Sequence, residues 1–149
     1  MHIVYHVLMA GARRYLSARV SLRTLQRLER RAQLQRRPKS ALVEQYLEEA
    51  LRMDEHPGTA FVDGPAGRRA VLAAKRGVDV WQVVSTLKAN GGSIPDTARA
   101  MVLSEAEVRI ALKYYADHPD EIDAWIGAND EEYARIEAAS RRQEELSRA

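Results

Sequence analysis

Leu16-Ser17-Ala18-Arg19-Val20-Ser21-Leu22-Arg23-Thr24-Leu25-Gln26-Arg27-Leu28, continuing through Arg36-Arg37-Pro38-Lys39-Ser40-Ala41-Leu42-Val43 to Arg52, decides how this chain is read. From Leu16 to Val20 apolar and polar residues alternate, so Leu16, Ala18 and Val20 share one face of a strand and Tyr15, Ser17 and Arg19 the other. The period then changes. Leu22, Leu25, Leu28 and Ala32 recur at helical spacing, and after Gln35-Arg36-Arg37-Pro38 a second stripe of Leu42, Val43, Tyr46, Leu47, Ala50 and Leu51 predicts one buried helix face. Pro38 suits the first turn of that second helix, where its missing N–H costs no bond.

A lone strand cannot satisfy its backbone donors and acceptors, and two short helices bury little against each other. A second copy is the economical partner. Two strands paired antiparallel across a two-fold axis make a ribbon above four helices, an obligate homodimer whose shared core is expected from Leu16, Ala18, Val20, Leu25, Leu42 and Tyr46. This order of elements, with Ser17-Ala18-Arg19-Val20-Ser21 ahead of Leu25 and Leu28 and with Lys39-Ser40-Ala41-Leu42-Val43 opening the second helix, resembles the ribbon-helix-helix repressors of the Arc, MetJ and CopG types. The resemblance spans residues 15–53, taken as a DNA-binding and dimerisation domain.

The resemblance implies that Tyr15, Ser17 and Arg19 read double-stranded operator DNA. A major groove that admits a two-stranded ribbon offers guanine acceptors to Arg19 and mixed base edges to Ser17. Lys39 and Ser40 open a helix whose unpaired N–H groups and dipole suit a phosphate oxygen, and Arg23 and Arg37 add charge beside them. Phosphate contacts there would position the ribbon while the strand side chains specify sequence. The plainer reading of Tyr15, Ser17 and Arg19 is the solvated face of a strand. Against it stands the density of Arg13, Arg14, Arg23, Arg27, Arg30, Arg31, Arg36, Arg37 and Lys39, more than solubility requires.

The charge is divided along the chain. Residues 1–52 hold 11 Lys and Arg against 4 Asp and Glu, a net of +7, while residues 53–149 hold 12 against 17, a net of −5. One end is suited to an anion and the other is not. There is no run of eighteen apolar residues, so no membrane span is expected. The absence of cysteine removes disulfides and thiolate chemistry together and fits a reducing, cytoplasmic setting. In Met1 to Ala12 the basic residues follow the apolar run, the reverse of a signal peptide. Residues 1–14 are expected to be a flexible arm, and Met9, followed by Ala10-Gly11-Ala12, is an alternative start that would make the first eight residues a mis-called translation start.

Beyond the Asp54-Glu55-His56-Pro57-Gly58 break, Ala60-Phe61-Val62-Asp63 and Arg69-Ala70-Val71-Leu72 read as a hairpin around Gly64-Pro65-Ala66-Gly67. Asp79 with Gln82 marks a helix start, stapled by Val78 and Val83, burying Val80, Trp81, Val84 and Leu87 and stopping at Asn90-Gly91-Gly92. A short helix near Pro95 to Met101 is followed by the capping box Ser104-Glu105-Ala106-Glu107 and a helix that buries Val108, Ala111, Leu112 and Tyr115. The two have helix-turn-helix spacing. Ile110 and Tyr114 lie off that stripe and read equally as a contact patch or as local core. Glu121 to Ile126 is a further short helix ended by Gly127, and Asn129 with Glu132 opens a last helix with a thin apolar face of Tyr133, Ile136, Ala139 and Leu146.

The segment from His56-Pro57-Gly58 through Val78-Asp79-Val80-Trp81 to Val108-Arg109-Ile110-Ala111-Leu112-Lys113-Tyr114-Tyr115 is similar to the helical "domain of unknown function 433", common in bacterial antitoxins. It departs from that pattern in carrying Gly64-Pro65-Ala66-Gly67-Arg68-Arg69 where the family has a Gly-x-Pro-x-Ile-x-Gly-Thr-Arg-type loop. The expected fold is therefore mainly α: a ribbon-helix-helix unit (15–53), a small helix-turn-helix-like domain with a short hairpin (54–127) and a C-terminal helix (128–149). The helix after Ser104 shows Glu105, Glu107 and Asp117 against Arg109 and Lys113, which argues against a second duplex-binding surface.

Catalytic chemistry is not indicated. His2, His6, His56 and His118 have no metal-ligand spacing on an expected helix, and no phosphate-binding or nucleophile-elbow motif occurs, so no enzyme, metal or cofactor is expected. Asp79, Asp96 and Asp117 read as helix-end residues. The pairing of the two resembled domains implies a VapB-type antitoxin of a type II toxin–antitoxin system that represses its own operon and neutralises a PIN-type ribonuclease toxin. Tyr133, Ile136, Arg135, Arg141 and Arg142 on the last helix are the toxin-binding candidates. The alternatives are a stand-alone ribbon-helix-helix regulator with an oligomerising or ligand-sensing C-terminal domain, and an adaptor whose basic ribbon does not read bases.

Overall fold

Ser21 turns the chain from extended to helical: itself extended, it accepts from the Thr24 N–H through its hydroxyl at 3.2 Å, satisfying one of the donors that a helix start leaves open. The computed structural model describes residues 16–148, so Tyr15 and the expected arm at 1–14 lie outside the described residues. Helix α1 (Leu22–Gln35) ends where Arg36 adopts a left-handed conformation, φ 51°, and the Arg36 and Arg37 N–H groups return to the carbonyls of Ala32 and Gln33. Helix α2 (Lys39–Glu55) follows, its first turn closed by Leu42 N–H to the Pro38 carbonyl at 3.3 Å. Pro38 therefore stands just before the helix and not within its first turn.

The chain divides into two units, one ending at Glu44 and one beginning at Gln45, inside α2. In the N-terminal unit Leu42 is fully buried, Ala32 is buried and Leu28 half-buried, whereas Leu22 and Leu25 are exposed. Residues 16–20, expected as one strand of a ribbon shared by two copies, have no ladder partner among the described residues; they form no regular secondary structure and are exposed. Of the apolar stripe expected to be buried on α2, only Leu42 is. Val43, Tyr46, Leu47, Ala50 and Leu51 face outward, because no part of the described chain covers that side.

In the C-terminal unit, β1 (Thr59–Gly64), β2 (Gly67–Leu72) and β3 (Lys75–Asp79) form an antiparallel sheet in the order β1-β2-β3. The expected hairpin is present in the register Thr59↔Leu72 to Gly64↔Gly67, turning through Pro65-Ala66. The third strand was not expected. It pairs with β2 through an irregular register, Val71↔Asp79 and Leu72↔Lys75, and its Lys-Arg-Gly run carries no period-two signal. As the central strand, β2 buries Ala70, Val71 and Leu72 in succession.

Helix α3 (Val80–Ala89) starts where expected, with Gln82 Oε1 accepting from the Asp79 N–H at 3.1 Å. Its fully buried residues are Val80, Val83 and Val84; Trp81 and Leu87 are half-buried. Helix α4 (Ile94–Met101) ends at Val102, left-handed at φ 56° and 82% exposed. Helix α5 (Glu105–Asp117) opens with the expected reciprocal box, Ser104 accepting from the Glu107 N–H and the Glu107 carboxylate from the Ser104 N–H. It buries Val108, Ala111 and Tyr114, with Leu112 and Tyr115 half-buried. Ile110 lies over Gly58, where φ is +97° and an added Cβ would come within 2.7 Å of the Ile110 Cδ1, so the position calls for glycine. Ile110 and Tyr114 thus complete the local core.

The last element departs from expectation. One helix, α6 (Pro119–Ser147), runs through Gly127 where two helices were expected. A mid-helix glycine costs about 1 kcal/mol relative to alanine, too little to stop a helix whose first turns are anchored by buried Ile122 and half-buried Trp125 and Ile126. No helix among the described residues is long and apolar enough to cross a membrane.

Candidate nucleic-acid interface and partner surfaces

The residues assigned to DNA contact are all at the surface where the structure describes them. Ser17 and Arg19 lie on the extended segment before α1, Arg23 on its first turn and Arg37 in the α1–α2 turn, and all four are exposed. Lys39 and Ser40 occupy the first turn of α2, and Lys39 Nζ pairs with Glu29 of α1 at 2.8 Å. An exposed pair of this kind contributes less than about 1 kcal/mol, so a phosphate can displace it.

Among the described residues, the same stretch carries most of the exposed large apolar side chains. Of the residues assigned to dimerisation, Leu16 is 70% exposed and Val20 58%, with Ala18, Leu25 and Tyr46 also exposed; Leu42 is the buried member, within its own chain. On the distal part of α6, Tyr133 and Ile136 are exposed, Arg135 pairs with Glu132 at 3.3 Å, Arg141 with Glu137 at 3.8 Å, and Arg142 is exposed.

A polar cluster that sequence reading did not assemble lies in the C-terminal unit. Arg52, on the last turns of α2, donates to the Tyr114 hydroxyl at 3.0 Å, to the Glu121 carboxylate and to Glu48. Tyr114 Oη also donates to Glu121 at 3.1 Å. His56 and His118 pack against the Tyr114 ring with centroid separations of 5.2 and 4.6 Å, and 5.3 Å from each other. His56 Nε2 is 3.4 Å from the Asp117 carboxylate, while His56 Nδ1 and His118 Nε2 are buried without a hydrogen-bond partner among the described residues. One turn earlier on α2, buried Glu49 accepts two hydrogen bonds from Arg68 of β2, which also reaches Asp63 at 3.2 Å. The signal that could have found this cluster is the i, i+3, i+7 spacing of Glu49, Arg52 and His56, which sets three polar side chains on the side of α2 opposite Val43, Leu47 and Ala50.

Charge states follow from these contacts. Burial works against the Arg52 charge, but its bonds to Glu48, Tyr114 and Glu121 outweigh that and hold it more firmly protonated than usual. The Glu49 bond does the same for Arg68. Burial, reinforced by the Glu121 charge, pushes the Tyr114 phenol up to about 12. Burial and then the neighbouring Arg52 charge push His118 below the ordinary imidazole value.

Asp79, read as a helix cap, has a second role. Its Oδ2 accepts from Arg69 Nε at 2.7 Å and from Trp81 Nε1 at 3.0 Å, tying the start of α3 to β2. On α5, Arg109 is engaged by Glu105 at 2.8 Å, and on α4 Arg99 is engaged by Asp96 at 2.8 Å, while Lys113 is exposed. No protein-family model, curated protein or solved structure matches this chain.

Proposed function

We propose that the chain is a dimeric, sequence-specific DNA-binding repressor of the ribbon-helix-helix kind, serving as the antitoxin of a type II toxin–antitoxin pair. The observation that carries the dimeric part is the placement of exposed apolar surface. Among the described residues, ten of the fourteen exposed large hydrophobic side chains fall between Leu16 and Met53, the stretch that also holds the basic excess. Apolar patches of that kind on a small unit mark an association surface. A second copy would supply the missing strand and cover Leu16, Val20 and Leu25, leaving Tyr15, Ser17 and Arg19 on the ribbon's outer face for base edges, with Lys39 and Ser40 for phosphate.

Neutralisation of a PIN-type ribonuclease is assigned to the distal part of α6. Tyr133, Ile136 and Leu146 stand exposed there between charged residues, as an amphipathic helix awaiting a groove would. Arg135, Arg141 and Arg142 are the side chains available to a carboxylate-lined nuclease site, where they would block the metal-binding acids.

Arg19→Ala is expected to reduce discrimination between operator and random DNA by about 1–3 kcal/mol, whereas Lys39→Ala weakens all duplexes evenly and flattens the salt dependence. Titrations of both variants against the two duplexes at several salt concentrations check this, and equal losses on both duplexes from Arg19→Ala defeat the base-reading role. Co-expression with the product of the adjacent gene tests the antitoxin role. A chain lacking residues 129–149 that still holds that partner removes α6 from the mechanism.

A further inference from the structure

The far half of α2 is attached to the C-terminal unit in an unusual way: no α2 residue belongs to that unit's apolar core cluster. Its attachment is made by charges and hydrogen bonds, Glu49 to Arg68 and Arg52 to Tyr114 and Glu121, followed by His56 packed on the Tyr114 ring. An attachment that rests mainly on charges and hydrogen bonds responds to a change in the local charge. We propose that the Arg52–Tyr114–Glu121–His118 cluster is an acid-sensitive latch, closed while His118 is neutral and released from the last turns of α2 when that imidazole takes up a proton.

The groups facing His118 decide the sign. From α2 comes the permanent charge of Arg52; beside it lies His56; from α5 come Tyr114 and Asp117; from α6 comes Glu121. Glu121, the carboxylate best placed to neutralise a new cation, is already shared between Arg52 and Tyr114. Asp117 is the nearest acid to His56, at 3.4 Å, and its side chain is 63% exposed, so solvent weakens what it offers. A proton on His118 therefore places a second cation beside Arg52 in a partly desolvated site and competes for Glu121. His118 Nε2, buried and without a partner among the described residues, has no acceptor waiting for the added N–H. His118 binds its proton less readily in the closed state than in the released one, so the latch holds above the ordinary imidazole value of 6.5 and loosens as the pH falls below it. The inference concerns the C-terminal unit and stands or falls independently of DNA binding.

Hydrogen exchange on the full chain tests it. Corrected for intrinsic rates, amides of residues 45–56 should exchange faster near pH 5.5 than near pH 7.5, by up to the about ten-fold that one titrating imidazole allows, while those of α3 stay nearly unchanged. In His118→Gln, which carries no titrating ring, the difference between the two conditions should vanish. Equal exchange of residues 45–56 at both pH values in the native chain overturns the proposal, as does a rise in His118→Gln as large as in the native chain. If that variant does not fold, the imidazole titration in the native chain decides by nuclear magnetic resonance. A His118 midpoint below 6.5 that coincides with the loosening of α2 upholds the latch, and a midpoint at or above 6.5 ends it.

Discussion

Tyr114 is the residue on which the C-terminal unit's polar interior turns, fully buried yet bonded through its hydroxyl to a cation and an anion on different helices. Tyr114→Phe removes that link while keeping the ring, and should cost about 1–2 kcal/mol in urea unfolding. Its phenol also sets an alkaline limit. The unfolded group ionises near 10.0 and the folded one near 12, so the folded state binds the proton more tightly. The stability it contributes is complete below pH 10.0 and lost as the pH rises through 12. An ultraviolet titration should show one tyrosine ionising late, absent in Tyr114→Phe. Val102 offers the opposite case: a β-branched residue held left-handed at φ 56° with its side chain 82% exposed has little packing to lose. Val102→Gly should stabilise the chain by about 1 kcal/mol, seen as a higher denaturant midpoint with an unchanged slope.

Capping chemistry is the part of the elements that local sequence states most directly. Asp79 with Gln82 and Ser104 with Glu107 began helices where those pairs stand, and Asn90-Gly91-Gly92 ended one, because a cap is decided within a few residues. The hairpin around Pro65-Ala66 was legible for the same reason. Strand β3 was not, since Lys75 and Gly77 lie in a strand only because β2 offers them an edge. Gly127 was misread as a helix stop by the same limitation: its local cost is fixed, but the anchoring of Ile122 that overrides it lies elsewhere in the fold. A Cβ at Gly127 meets nothing within 4 Å, so Gly127→Ala should raise stability by about 0.5–1 kcal/mol. A destabilised Gly127→Ala in thermal or urea unfolding would mean the helix breaks there after all.

For the molecule as a whole, the dimeric reading predicts that sedimentation shows a mass falling toward the single-chain 16.8 kDa only on strong dilution, and that Leu25→Arg brings that transition to higher concentration. The basic excess and the apolar stripes were legible as properties of composition and spacing, and Arg19, Arg23, Lys39 and Ser40 are exposed. Of the polar cluster only the α2 side was legible, in the spacing of Glu49, Arg52 and His56; its partners Tyr114 and Glu121 stand 62 and 69 residues from Arg52 and meet it only through folding. Helix α2 also bears on any attempt to graft the basic stretch onto another protein. The division between the units falls between Glu44 and Gln45, in mid-helix. A graft ending at Glu55 would carry Glu49 and Arg52 away from Arg68, Tyr114 and Glu121, leaving charged side chains shaped for neighbours the recipient lacks. This polypeptide has no seam there, and a chimera would have to bring its own acid and base to meet them.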